Sequence, residues 1–234
     1  ALNDTITYGS LGTTGVLTTG DAFDCDINGD GVYDSATERF YYVSDMTNGV
    51  TTDSNTAVLI YYNNVSGGVA SNSTAYAYDE SGTNNNGPVT AIKQLPTTSQ
   101  WSNVSLTNTA RAITNEQNGN TTSAGNLPTI FSYEGYAARL LTAQEVSAGC
   151  GFTVGSYTKG ELSSKCKYLM ENTKYSSSSL KTYGGWLESP HASNSSHAWH
   201  VAGGSRTVSG TIVDYVDNYG VRPAIEVAKT DIEY

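Results

Sequence analysis

The sequence predicts an α+β fold, and three observations carry that expectation. Two runs of aromatic and β-branched residues, Arg39 to Ser44 and Thr56 to Asn63, flank a turn-forming stretch and read as a β-hairpin. Two Thr-x-x-Glu segments, Thr142 to Glu145 and Thr158 to Glu161, have capping-box spacing. In that motif the threonine hydroxyl caps the amide of the glutamate, which reaches back, so each segment predicts a helix start. Toward the C-terminus, strand-like anchors at Gly184 to Pro190 and Tyr219 to Val227 bracket a tract of mostly small and polar residues.

Taken in order, Thr5 to about Thr19 is polar and punctuated by glycine, which allows short strands at most. The hairpin follows an Asp/Asn/Gly-rich segment, Asp24 to Asp34. Asn63 to Gly87 is rich in Ser, Asn and Gly, with Tyr76 and Tyr78 alternating, as in an exposed loop or edge strand. Leu95 to Trp101 reads as a turn leading into a short helix, and Asn115 to Gly125 as a polar loop. Ala138 to Leu141 is a short strand-like run that feeds the first helix at Thr142. The second helix carries Leu162, Cys166, Leu169 and Met170 on one face by their three-to-four spacing and ends near Asn172. Gly184-Gly185 and Gly203-Gly204 read as turns. If His197 to Ala202 is a strand, Trp199 and Val201 face the core while Ala198, His200 and Ala202 face the other way, which displays His200. Trp186 belongs to the frame, and Arg222 to internal hydrogen bonding. The chain divides near residue 88 into a β-rich N-terminal part, packed on or continuous with the rest, and a larger domain over 89–234.

A chain of 234 residues can bury a sizeable core. Its formal charge of -10 argues against nucleic acid and anionic membranes, both of which require surplus Lys and Arg. Charged residues are few, whereas Ser, Thr, Asn, Gly and Tyr are abundant. That mix suits a secreted or cell-surface β-rich protein and also a binding surface on which Tyr supplies rigid contact area. Of the three cysteines, Cys150 and Cys166 are close enough in sequence to staple one excursion to the core, leaving Cys25 unpaired. No apolar run reaches the length of a membrane span, so attachment to a membrane is expected only through an anchor outside this sequence.

Asp26, Asn28, Asp30 and Asp34 place oxygens at alternating positions around Gly31, as calcium loops do, which makes structural Ca2+ the one cofactor to expect. Position twelve of that loop falls on Thr37, and Glu38 lies one residue late. Asp/Asn/Gly segments of this kind also form metal-free turns, because Asn and Asp tolerate left-handed backbone. His191, His197 and His200 are the only histidines and lie together in the bracketed tract, but no spacing puts two of them on one helix face as a zinc site would. There is no Gly-x-Ser-x-Gly nucleophile elbow and no phosphate-cradling glycine loop. An enzyme is not expected.

Three tail motifs, Trp186-Leu187-x-Ser189-Pro190, Ala198-Trp199-x-Val201 and Tyr219-Gly220-Val221-Arg222-Pro223-Ala224-Ile225, together resemble the end of bacterial C-type lectin-like domains of the formylglycine-generating-enzyme-like group. Arg139-Leu140-Leu141-Thr142-x-x-Glu145 resembles an Arg-Leu-Pro-Thr-x-x-Glu element of the same group, with Leu141 in place of Pro. The resemblance covers roughly Thr90 to Val227 and implies a C-type lectin-like fold with an N-terminal β-rich extension. The redox cysteines of the enzymes in that group have no counterpart, since no cysteine follows Cys166. Some members are variable proteins of diversity-generating retroelements, in which adenine mutagenesis turns Asn-type codons into NNC codons. Such codons cannot encode Lys, Glu, Gln, Met or Trp; between Pro190 and Gly220 none of the first four occurs, and the one Trp, Trp199, sits where an unvarying frame residue is expected. The resemblance therefore implies a hypervariable ligand-binding tract over 191–219. Its contact residues would be His191, Ser193, Asn194, Ser196, His197, His200, Ala202, Ser205, Thr207, Ser209, Thr211, Asp214 and Tyr215, and its ligand a protein or another cell-surface macromolecule. An invariant pilus-associated adhesin and a carbohydrate-binding lectin are the alternatives; the tail lacks a Glu-Pro-Asn sugar motif.

Overall fold

A computed structural model of the chain describes residues 7–9, 15–47, 52–71, 74–111, 131–151, 160–161, 164–169, 184–191, 194–202 and 207–234. In the first half these contain β1 (Thr7–Gly9), β2 (Ala22–Cys25), β3 (Arg39–Thr47), β4 (Thr52–Tyr61), β5 (Val65–Ser66) and β6 (Val69–Ala70). Next come β7 (Ala110–Arg111), β8 (Phe131–Ser132), the helix α1 (Ala143–Cys150) and β9 (Gly160–Glu161). The last strands are β10 (Gly184–Pro190), β11 (His197–Ala202), β12 (Thr207–Ile212), β13 (Ala224–Ala228) and β14 (Ile232–Glu233). The protein is β-rich, with one α-helix among the described residues, and this overturns the α+β, C-type lectin-like expectation of two helices packed on a small sheet.

The second expected helix fails at its start. Gly160 and Glu161 form β9, which pairs antiparallel with β12 through Val208 and Thr207. Cross-strand hydrogen bonds outweigh a local capping signal that has glycine, a poor helix former, inside its first turn. Cys166 and Leu169 are buried in a short 3₁₀ segment, Ser164–Leu169, rather than on a long helix face; Thr158 and Asn172 lie outside the described residues. The helix expected after Trp101 is also absent: a 3₁₀ turn, Ala91–Gln94, precedes that stretch, and 97–101 is a turn. Gly184 and Gly185 are strand rather than turn. A Cβ on Gly185 would stand 3.1 Å from the Gly220 carbonyl oxygen, so glycine permits the close approach of the two segments.

The first capping box forms. Thr142 accepts the Glu145 N–H at 3.1 Å, Glu145 accepts the Thr142 N–H at 2.9 Å, and the helix ends on Gly151 at φ 75°. Glu145 also receives a bidentate guanidinium from Arg139 at 2.9 and 2.6 Å, while Arg139 Nε donates to Glu226 at 2.7 Å. All three side chains are buried, so the ion pairs weld the helix start to β13. The Cys150–Cys166 disulfide ties the helix end to the 3₁₀ segment, and Cys25 is a buried free thiol.

Strands are ordered β13-β4-β3-β2-β1-β14 in the main sheet and β10-β11-β12-β9 in the second. The main sheet therefore takes strands from both sides of residue 88. Its two faces feed two cores: Phe40, Leu59 and Ile225 enter one, whereas Val43, Val58 and Ile60 enter the other beside Val146 of α1. β11 divides in the same way, with Ala198 in the first core and Trp199 and Val201 in the second. Arg222 donates to the carbonyls of Tyr61, Leu169 and Tyr168, joining main sheet and 3₁₀ segment from inside.

Candidate recognition surface

The bracketed tract is held in shape by backbone carbonyls. Trp199 and Gly210 are partners across β11 and β12, and the strands splay at their end into turn 194–196 on one side and segment 213–216 on the other. Val213 N–H closes that end by donating to the Ser196 carbonyl at 2.9 Å. A loop from the first half of the chain grips it. Tyr78 N–H and Asp79 N–H donate to the Val213 carbonyl at 2.8 and 3.2 Å, and Asn84 N–H donates to the Ser195 carbonyl at 2.6 Å. The Asn84 side-chain amide reaches the carbonyls of His191, Asn194 and His197 at 2.9, 2.9 and 2.8 Å. Asn84 is wholly buried, although its Asn-Asn-Asn context reads as exposed loop. No local signal marks it, because its partners are more than a hundred residues away.

The expected contact residues divide by burial. Asp214 and Tyr215 are exposed, and Asn194, Ser196, His197, Ser209 and Thr211 are half-buried, Ser209 in mid-strand opposite His200 and the others toward the end where His197 meets Ile212. His191, His200 and Thr207 are buried. Ser193 and Ser205 lie outside the described residues, as does the side chain of Ala202. His200 is 3% exposed rather than displayed, since the face of β11 opposite Trp199 is covered by the first core. Its ring packs 4.0 Å from that of Tyr219 and 6.1 Å from that of Trp186. Burial pulls its pKa down to about 3. His191 stacks on Trp199 at 5.3 Å, and burial first, then the neighbouring His197, pulls its pKa down to about 4. Gly210 makes room for that ring; a Cβ there would lie 3.1 Å from the His191 Cδ2. His197 is the histidine that meets solvent, with Nδ1 3.1 Å from Ser196 Oγ.

Three large apolar side chains stand out from this end: Ile212 is 41% exposed, Tyr215 43% and Val216 52%. They are three of the six exposed large hydrophobics among the described residues, gathered within five consecutive positions. Sequence reasoning singled out Tyr215 but passed over Ile212 and Val216, because valine and isoleucine in a strand-like run read as core.

The expected calcium residues lie elsewhere, in the turn between β2 and β3. Asp26 accepts the N–H groups of Gly29, Asp30 and Gly31 at 2.8, 3.0 and 3.0 Å. Asn28 accepts Asp30 N–H, Asp30 accepts Val32 N–H, and Asp34 accepts Ala36 N–H and the Thr37 hydroxyl. Among the described residues, no three Asp, Glu, His or Cys side chains already converge as a metal cluster. Nor is any helix among them long and apolar enough to cross a membrane. No family model, curated protein or solved structure matches the chain.

Proposed function

We propose that this chain is a secreted or surface-displayed binding protein, diversified by a retroelement, which recognises a protein or another cell-surface macromolecule. Its recognition surface is the end of the second sheet, and the apolar cluster of Ile212, Tyr215 and Val216 carries the reading. Exposed apolar side chains rimmed by polar residues are what a contact surface needs, and Tyr215 among them supplies rigid contact area. Asn194, Ser196, His197, Ser209, Thr211 and Asp214 form the polar rim. The backbone under the rim is held by the Val213 N–H on the Ser196 carbonyl and by Asn84, while Asn194 also caps the Ser196 N–H and hydroxyl with its own side chain, so the exposed Asp214 and Tyr215 are the positions exchangeable at small cost in stability. The disulfide fits an oxidising compartment.

Sequencing the encoding locus tests the proposal. The expected result is a near-identical template repeat that differs from the coding copy only at adenines. Those differences should fall on the codons of Asn194, Ser196, His197, Ser209, Thr211, Asp214 and Tyr215 and spare those of His191, His200 and Thr207. A locus without such a repeat makes the surface an invariant adhesin's; differences concentrated on the buried codons would remove the displayed rim as the variable site.

A further inference from the structure

One buried group in the turn before β3 lacks the partner its chemistry demands. Glu38 is 4% exposed; its Oε2 accepts the Asp34 N–H at 3.0 Å, and the Ile27 N–H, already bonded to the Cys25 carbonyl, stands near the carboxylate, but no donor reaches its Oε1, equally shut off from solvent, in hydrogen-bond geometry. A buried carboxylate oxygen without a donor is costly enough to need an explanation. Arg39, the adjacent cation in the sequence, is turned to Asp24 and does not serve it. A space closed to water still admits a bare cation, which approaches a carboxylate oxygen more closely than a water oxygen does.

The surroundings of Glu38 say which cation. Asp26, Asn28, Asp30 and Asp34 occupy the first, third, fifth and ninth places of an oxygen-bearing loop, with Gly31 sixth at φ 79°. All are hard oxygen donors, and neither sulfur nor imidazole is among them, a set that favours Ca2+ over transition metals. We propose that this turn binds one calcium ion and that Glu38 supplies the closing oxygen.

Glu38 takes the place that a helix-flanked loop gives to its twelfth residue because a strand follows here. In the turn that leads into β3, Glu38 is buried, whereas Thr37 is exposed. The backbone hydrogen bonds to Asp26 fix the loop, and the ion gathers the carboxylates that in its absence cap nearby N–H groups. Asn103 and Ser102 hold the loop from outside, donating to the carbonyls of Asp26 and Asn28 at 2.7 and 2.9 Å. Trp101, their neighbour, lines the same cavity as Glu38, close enough to report on the ion.

The test is titration of the chelator-stripped chain with Ca2+ by calorimetry, together with Tb3+ luminescence excited through tryptophan. The wild type should bind one ion, Tb3+ emission should be displaced by Ca2+, and the melting temperature should rise with added Ca2+. Glu38→Gln should weaken binding at least tenfold, and Glu134→Gln, at an exposed carboxylate outside the loop, should leave it unchanged. Should Glu38→Gln fail to fold, Asp30→Asn at an exposed loop position must show the same loss. No binding at about 10 mM Ca2+, above the range of weak extracellular sites, overturns the proposal. So does a Glu38→Gln chain that binds like the wild type, or one as stable as the stripped wild type where neither chain responds to Ca2+, since Glu38 is then simply a neutral carboxylic acid.

Discussion

Together with His191, whose pKa burial also pulls down, His200 makes stability depend on pH. Its ring is neutral because charge would be stranded between Tyr219 and Trp186, whereas in the unfolded chain it titrates near 6.5. Below that value the unfolded chain binds the extra proton, so the stability contributed by the neutral ring is complete above about 6.5 and is lost as pH falls toward 3. Between pH 7 and pH 5 the loss is about 2 kcal/mol. Urea unfolding across that interval should be visibly flatter for His200→Phe than for the wild type; parallel curves would mean that the ring is not held neutral. Arg139 is the opposite case, a charge kept inside by Glu145 and Glu226, and burial of the three together fastens helix to sheet.

At the scale of elements, the Cys150–Cys166 staple spans 16 residues and closes the end of α1 onto the 3₁₀ segment Ser164–Leu169. Replacing both cysteines by alanine should cost about 3 kcal/mol in chemical unfolding, the entropy of a loop of that size released into the unfolded chain. A loss below about 1 kcal/mol would show that the loop is restrained without it. The staple, the Thr142 cap and the β3–β4 hairpin were all legible in the sequence, because each depends on residues a short distance apart. What was not legible depends on distant partners. Thr158 to Glu161 has the same spacing as Thr142 to Glu145, yet Glu161 is in a strand opposite Thr207. Alternation correctly separated Trp199 from His200, but nothing nearby announces that Tyr219 and Trp186 cover the second face. The Asn84 clasp was invisible for the same reason.

For the molecule as a whole, β4 pairs with β13 over Thr56 to Ile60, and β1 runs parallel to β14. A boundary near residue 88 therefore cuts through one sheet. A fragment of residues 89–234 should lack cooperative unfolding in circular dichroism, while the full chain melts in a single transition; a sigmoidal melt from the fragment would show that the C-terminal part is self-sufficient. The Asn84 clasp also fixes when the rim can take shape. Turn 194–196 takes its shape from a loop made more than a hundred residues earlier and from Val213, made after it. A chain still emerging from the ribosome, or threaded through an export channel, thus has every side chain of the rim before it has the rim. Under the function proposed above, an unfolded chain in transit would carry the contact residues without the surface that presents them.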